Sequence, residues 1–210
     1  VEKGDRILVR AAVRGESATG RPIPHYAATL TLATAPAPQP VFEMPPIVDG
    51  PADALRVYRE ATLFHGPPLQ GIRSVLDQSA EHAVVRCRLA DANVSDRAYH
   101  GRLHSPVLAD LLLQGAAMLG QELSKAAALP LGIGRAEWFA PLPDDEPFIL
   151  LLDDGRRRSA TITVSATAVD TNGYSPTPQN IGLLRITLVA PSKRASYDEV
   201  SARMRARVEA

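Results

Sequence analysis

Asp110 and Gln114 stand four residues apart in a stretch that is otherwise apolar, Ser105-Pro-Val-Leu-Ala-Asp-Leu-Leu-Leu-Gln114. In a helix that spacing places both side chains on one face, a turn apart. A carboxyl in apolar surroundings is costly unless it is paired, hydrogen-bonded or protonated. The pair therefore reads as a site rather than an accident of sequence. The plainer alternatives are an Asp held by backbone or Arg partners and a Gln that is merely polar.

Other chemically capable residues carry weaker signals. His65 lies in the turn-rich segment Leu63-Phe-His-Gly-Pro-Pro-Leu-Gln-Gly71 and reads equally as a site residue or a turn histidine. His100 and His104 precede the helix, but the helix offers only an amide at i+4 from Asp110, so no metal site is expected. Cys87 is the sole cysteine, which rules out an intrachain disulfide and fits a core position. Arg156, Arg157 and Arg158 follow a turn signal and read as a solvated tip, with an acidic partner surface as the lesser alternative.

The elements that must position the pair follow from pattern. Ser105 suits an N-cap and Pro106 the first helical position. The run 107–128 is apolar on almost every face, which predicts a helix wrapped by other structure and stopped by Pro130. Strands are expected at 5–14, 25–33, 72–76, 83–90, 134–140, 148–152, 159–169 and 181–189, from their β-formers and alternation. Asp153-Asp-Gly-Arg and Asp170-Thr-Asn-Gly read as turns. A short helix is expected within 53–60. Prolines 36, 38, 40, 45, 46 and 51 mark an extended linker at 35–54, and 191–210 reads as a charged helical tail or linker. One long helix followed by antiparallel strands gives an α+β architecture.

Composition narrows the function. The chain has 210 residues, with 23 Lys+Arg against 23 Asp+Glu and no net charge. That balance argues against nucleic acid or an anionic membrane as the main partner. No apolar run approaches the ~20 residues that cross a bilayer. The single cysteine fits a cytoplasmic setting, and the N-terminus shows no signal-peptide pattern and no initiator Met, as expected of a cut or processed end.

With these residues in view, the chain resembles polyketide synthase dehydratase domains. Their helix motif runs H-P-A-L-L-D-x-x-L-Q, and Pro106, Leu108, Asp110, Leu113 and Gln114 match it, with Ser105 in place of His. Their Y-G-P-x-F-Q segment is mirrored by His65-Gly-Pro-Pro-Leu-Gln70, with His for Tyr and Leu69 for Phe. The preceding Phe64 makes the form F-H-G-P, nearest to the iterative enediyne and polyunsaturated-fatty-acid synthase type. The resemblance covers about 55–189.

The resemblance implies a double hotdog, each hotdog being an antiparallel sheet wrapped around a long helix. It places 1–34 in the closing strands of a partial first hotdog and 55–190 in a complete second one. It implies loss of water from a β-hydroxyacyl thioester carried on the phosphopantetheine arm of an acyl carrier protein, to give the α,β-unsaturated chain. Asp110 would be the acid, with Gln114 orienting the carboxyl or the substrate hydroxyl. Phe64, His65, Gly66, Pro67, Leu69, Gln70 and Pro106 would line the substrate site. No metal or organic cofactor is implied; the partners are the carrier protein and neighbouring synthase domains. The family's base is a His in an H-x-x-x-G-x-x-x-x-P motif, and none of His25, His65, His82, His100 or His104 sits in one. The chain therefore reads as a fragment, inactive alone. A fragment of a paired fold exposes apolar surface and sheet edge, which predicts self-association, as in a homodimer. The alternative is a non-catalytic hotdog module that binds acyl chains or organises a synthase. A hotdog thioesterase, using a carboxylate to activate water, fits the F-H-G-P segment poorly.

Overall fold

The computed structural model of the protein describes residues 6–34, 56–60, 63–88, 106–139, 146–158, 161–170 and 180–189. The linker expected at 35–54, the tail at 191–210, Ser105, His100 and His104 lie outside them. The chain divides into two compact units.

The first unit holds an antiparallel hairpin of β1 (Arg6–Glu16) and β2 (Pro22–Ala33). Both strands run closer to the turn than their β-formers suggest. The turn is tight because the Arg21 N–H donates to Ser17 Oγ at 3.0 Å and the Ser17 N–H to the Arg21 carbonyl at 2.8 Å. Ile7, Leu8, Val13, Tyr26 and Leu32 are exposed on this hairpin, an unusual density of apolar surface.

The second unit is a six-stranded antiparallel sheet around one long helix, the expected α+β arrangement. After α1 (Arg56–Arg59) and a 3₁₀ turn at Pro67–Leu69 come β3 (Ile72–Gln78), β4 (Ala83–Cys87), α2 (Pro106–Ser124), β5 (Leu129–Trp138), β6 (Phe148–Arg158), β7 (Thr161–Asp170) and β8 (Asn180–Val189). The sheet order is β3-β4-β6-β7-β8-β5. The helix lies on β6, β7 and β8. Leu108, Leu111, Leu112 and Leu119 interlock with Phe148, Leu150, Leu152, Ile162, Val164, Ile186 and Leu188. Each such side chain contributes about 1.5–3 kcal/mol on burial, so packing rather than helix propensity holds α2 in place. From Gln114 to Gly120 every residue is buried, as the all-round apolar pattern of the helix requires.

β4 ends at Cys87, short of the expected 90, and three further differences from the pattern each have a local cause. The helix ends at Ser124, not at 128. Lys125 turns left-handed at φ 54°, and Ser124 Oγ stands 2.7 Å from the Gly120 carbonyl and accepts the Ala126 N–H at 3.2 Å. Ala126, Ala127 and Ala128 are good helix formers, but the chain uses them to bring β5 back along the sheet. Consequently β5 starts at Leu129 rather than 134, and Pro130 lies inside it. Proline is tolerated there because β5 is an edge strand, paired only with β8 among the described residues. Finally, Asp153-Asp-Gly-Arg is no turn. β6 runs through it to Arg158, with an irregular register between Asp153 and Arg156. A Cβ on Gly155 would meet Leu123 Cδ1 at 2.9 Å and the Glu81 carbonyl oxygen at 3.0 Å, so the Gly serves a close approach instead. Arg156–Arg158 are therefore strand residues, though exposed.

Candidate active site

The first two turns of α2 carry the polar pair. Val107, Leu108, Leu111 and Leu112 point into the core, while Ala109, Asp110 and Leu113 lie at its border. The two residues differ in burial. The Asp110 side chain remains 31 % exposed, and it is Gln114 that is buried, at 1 %. Tyr58 and the Leu69 carbonyl lie over Gln114, and the carboxyl stays at the edge of the core.

A buried amide must satisfy two donors and an acceptor. Gln114 Nε2 donates to Asp110 Oδ2 at 2.7 Å and to the Leu69 carbonyl at 2.9 Å. Gln114 Oε1 accepts from the Tyr58 hydroxyl at 2.8 Å. The Leu69 carbonyl can only accept, which fixes which end of the amide faces it. Tyr58 in turn accepts the Ile72 N–H at 3.1 Å. Burial pushes the Tyr58 phenol well above its ordinary range, so it stays a donor at any working pH.

The segment before β3 forms the other wall. Pro67–Leu69 makes a 3₁₀ turn, with the Leu69 N–H on the Gly66 carbonyl at 3.0 Å. The Gln70 side chain ties this turn back to the His65 carbonyl at 2.9 Å. Gly71 lets the chain pass against the helix: a Cβ there would stand 2.7 Å from Leu111 Cδ2, a fully buried methyl. That approach brings the Leu69 carbonyl over Gln114.

The same segment puts the His65 ring beside Asp110. Nε2 lies 3.5 Å from Oδ1, an ion pair when the ring is protonated and too long for a strong hydrogen bond. The ring is stacked on Phe64, with centroids 4.5 Å apart, and Nδ1 is buried with no hydrogen-bond partner among the described residues. Phe64 itself is 65 % exposed.

Of the residues named from sequence, Asp110, Gln114, His65, Leu69 and Gln70 thus converge, Leu69 through its backbone. Gly66 and Pro67 shape the turn, and Pro106 opens the helix a turn before Asp110, exposed. Phe64 contributes by stacking on His65. Tyr58 was not among the expected site residues. Its only sequence signal is a polar aromatic beside Val57 in a short helix, which does not separate it from a core tyrosine.

The arrangement gives a carboxyl with one oxygen anchored by an amide and the other facing a histidine, partly open to solvent. That geometry suits proton transfer to a ligand that reaches the exposed part of the carboxyl. Among the described residues no helix is long and apolar enough to cross a membrane.

Residues 33–175 match the family described as the polyketide synthase dehydratase N-terminal domain. The chain is 33 % identical over 152 residues to one of the subunits of the polyunsaturated fatty acid synthase of Thraustochytrium sp. (strain ATCC 26185 / S-3), a match covering 70 % of this chain and 5 % of that protein. The chain therefore spans only a small part of that relative. Among solved structures it is similar to the dehydratase domain of RzxB from Pseudomonas fluorescens, with TM-score 0.63 and 18 % identity over 86 % of this chain and 63 % of that one. It is likewise similar to GphF Dehydratase 1, with TM-score 0.62 and 19 % identity over 87 % of this chain and 65 % of that one. Both likenesses are to dehydratases of hotdog fold, in accord with a sheet wrapped around α2. The site at Asp110 and the His65–Gln70 segment fall inside the matched residues, and the chain belongs to the polyketide synthase dehydratase family.

Proposed function

We propose that this chain supplies the acid side of a dehydratase site, which removes water from a β-hydroxyacyl thioester on an acyl carrier protein. The observation that supports it most is the anchoring of Asp110: Gln114 holds Oδ2 at 2.7 Å while the carboxyl keeps 31 % of its surface open. An acid must be both fixed and reachable.

In the proposed step a base takes the proton at Cα. Its electron pair forms the Cα–Cβ double bond, and the Cβ–O bond breaks. The Asp110 carboxylic acid gives its proton to the departing hydroxyl, which leaves as water. The base ends protonated and Asp110 ionised, and exchange with solvent restores both. Gln114 keeps the carboxyl aimed through the change of charge, since its N–H bonds the acid weakly and the carboxylate strongly. The Phe64–Gln70 segment forms the wall along which the acyl chain and its phosphopantetheine arm enter. The base is assigned, by family resemblance, to a histidine outside this chain.

The test is incubation of the full-length protein with β-hydroxyacyl carrier protein and mass spectrometry of the acyl group. Loss of one water is the expected result. The second reading, a non-catalytic acyl-binding module, is favoured by the absence of the H-x-x-x-G-x-x-x-x-P motif from these residues. Saturable acyl binding without loss of water would select it.

A further inference from the structure

We propose that Tyr58 is a positioning residue of this site, acting through Gln114 on Asp110; the proposal rests on the dehydratase reading above. The side chains form one chain of contacts. The Ile72 N–H donates to the Tyr58 hydroxyl at 3.1 Å, the hydroxyl donates to Gln114 Oε1 at 2.8 Å, and Gln114 Nε2 donates to Asp110 Oδ2 at 2.7 Å. The origin is a backbone N–H at the first residue of β3, with Ile72 fully buried, so the chain starts from a rigid point. With one lone pair taken by Ile72, the hydroxyl proton is directed to Gln114. The amide then has both ends specified: Oε1 toward Tyr58, and Nε2 toward Asp110 and Leu69.

Leu69 alone does not achieve this. A single carbonyl contact leaves the amide free to pivot about it, whereas a second contact on the opposite end removes that freedom. Tyr58 therefore sets where Oδ2 is held, and through it where Oδ1 points. It touches no substrate in this scheme.

Tyr58→Phe keeps the ring that packs on the core and removes only the hydroxyl. In the full-length protein kcat per folded enzyme is expected to fall about 10-fold, with KM changed less than about twofold, because the loss falls on orientation rather than on binding. The folded fraction comes from near-ultraviolet circular dichroism. In a Gln114→Ala background, Tyr58→Phe is expected to cost no further kcat, since its route to Asp110 is already cut. A purely structural Tyr58 would lower the unfolding temperature and leave kcat per folded enzyme alone. Unchanged kcat in Tyr58→Phe, or fully additive losses in the double variant, would overturn the proposal. Should Tyr58→Phe not fold, 4-fluorophenylalanine at position 58 fills nearly the same volume without a donor to Gln114, and an unchanged kcat per folded enzyme there overturns it equally. A wild-type protein that dehydrates nothing overturns the dehydratase reading and this proposal with it.

Discussion

Gln114 Nε2 stands 2.7 Å from Asp110 Oδ2, one helical turn away, and the amide is buried while the carboxyl is not. The pair is an anchor and a working group rather than two equivalent polar residues. The fold invests its buried hydrogen bonds in the amide and leaves the carboxyl at the edge of the core.

Gln114→Leu tests the anchor. The substitution conserves approximate volume but strips Asp110 Oδ2 and the Tyr58 hydroxyl of their partner. Leaving buried polar groups unsatisfied costs about 1–3 kcal/mol, and the added apolar burial puts the net loss at the lower end. Misplacement of the carboxyl is expected to lower kcat about 10–100-fold in the full-length protein. Chemical denaturation and steady-state dehydration assays read the two effects; an unaltered kcat would refute the anchoring role.

His65→Phe separates stability from activity. His65 Nδ1 is buried without a partner among the described residues, a burden of about 1–3 kcal/mol by general experience. Phenylalanine keeps a ring in the stack with Phe64 and removes that nitrogen. The variant is expected to unfold at a higher temperature while losing activity, because the polar edge facing Asp110 Oδ1 at 3.5 Å is lost. Differential scanning calorimetry with a parallel assay checks both signs. A less stable variant with full activity would contradict the reading of the ring as a site element.

The β3–β4 turn predicts a pH effect. His82 Nε2 lies 2.8 Å from Asp77 Oδ2, and its ring Nδ1 lies 2.7 Å from Ser79 Oγ. The three residue types suggest a nucleophile, yet Ser79 Oγ accepts the N–H groups of Glu81 and His82 and so closes the turn. The His82 hydrogen bond holds the Asp77 carboxyl below its ordinary value of 3.8. A lowered folded-state value means the contribution is present above pH 3.8 and lost as pH falls through the lower folded value. Asp77→Asn should therefore melt slightly below wild type above that pH and converge with it in stronger acid. The effect is small because both side chains are largely exposed, and concentrated salt should reduce it. A pH series of melting curves decides; a gap that persists in strong acid would contradict the linkage.

Much of this site is legible in the amino-acid order. Asp110 and Gln114 are local partners, and their i, i+4 spacing in an apolar run shows through without tertiary knowledge. The His65–Gln70 turn is legible as a motif. What was missed is long-range. Tyr58 meets Gln114 across 56 positions, and Leu69 acts through a carbonyl that any residue would carry. The same physics explains the misplaced boundaries. Ala126–Ala128 favour helix locally, but the return of β5 along the sheet overrides them. Asp153-Asp-Gly reads as a turn because Gly155 is needed, though its need is for close passage beside Leu123 and Glu81. The greater burial of Gln114 was hidden because helix periodicity gives a face but not which distant segments, here those of Tyr58 and Leu69, close over it.

Whether Asp110 is the proton donor is decided by the rate of dehydration by Asp110→Asn against wild type. Asparagine keeps the shape and a partner for Gln114 while removing the acid. A fall of about 10²–10⁴-fold in kcat with an unchanged unfolding temperature is expected. A variant that dehydrates β-hydroxyacyl carrier protein at the wild-type rate would contradict it.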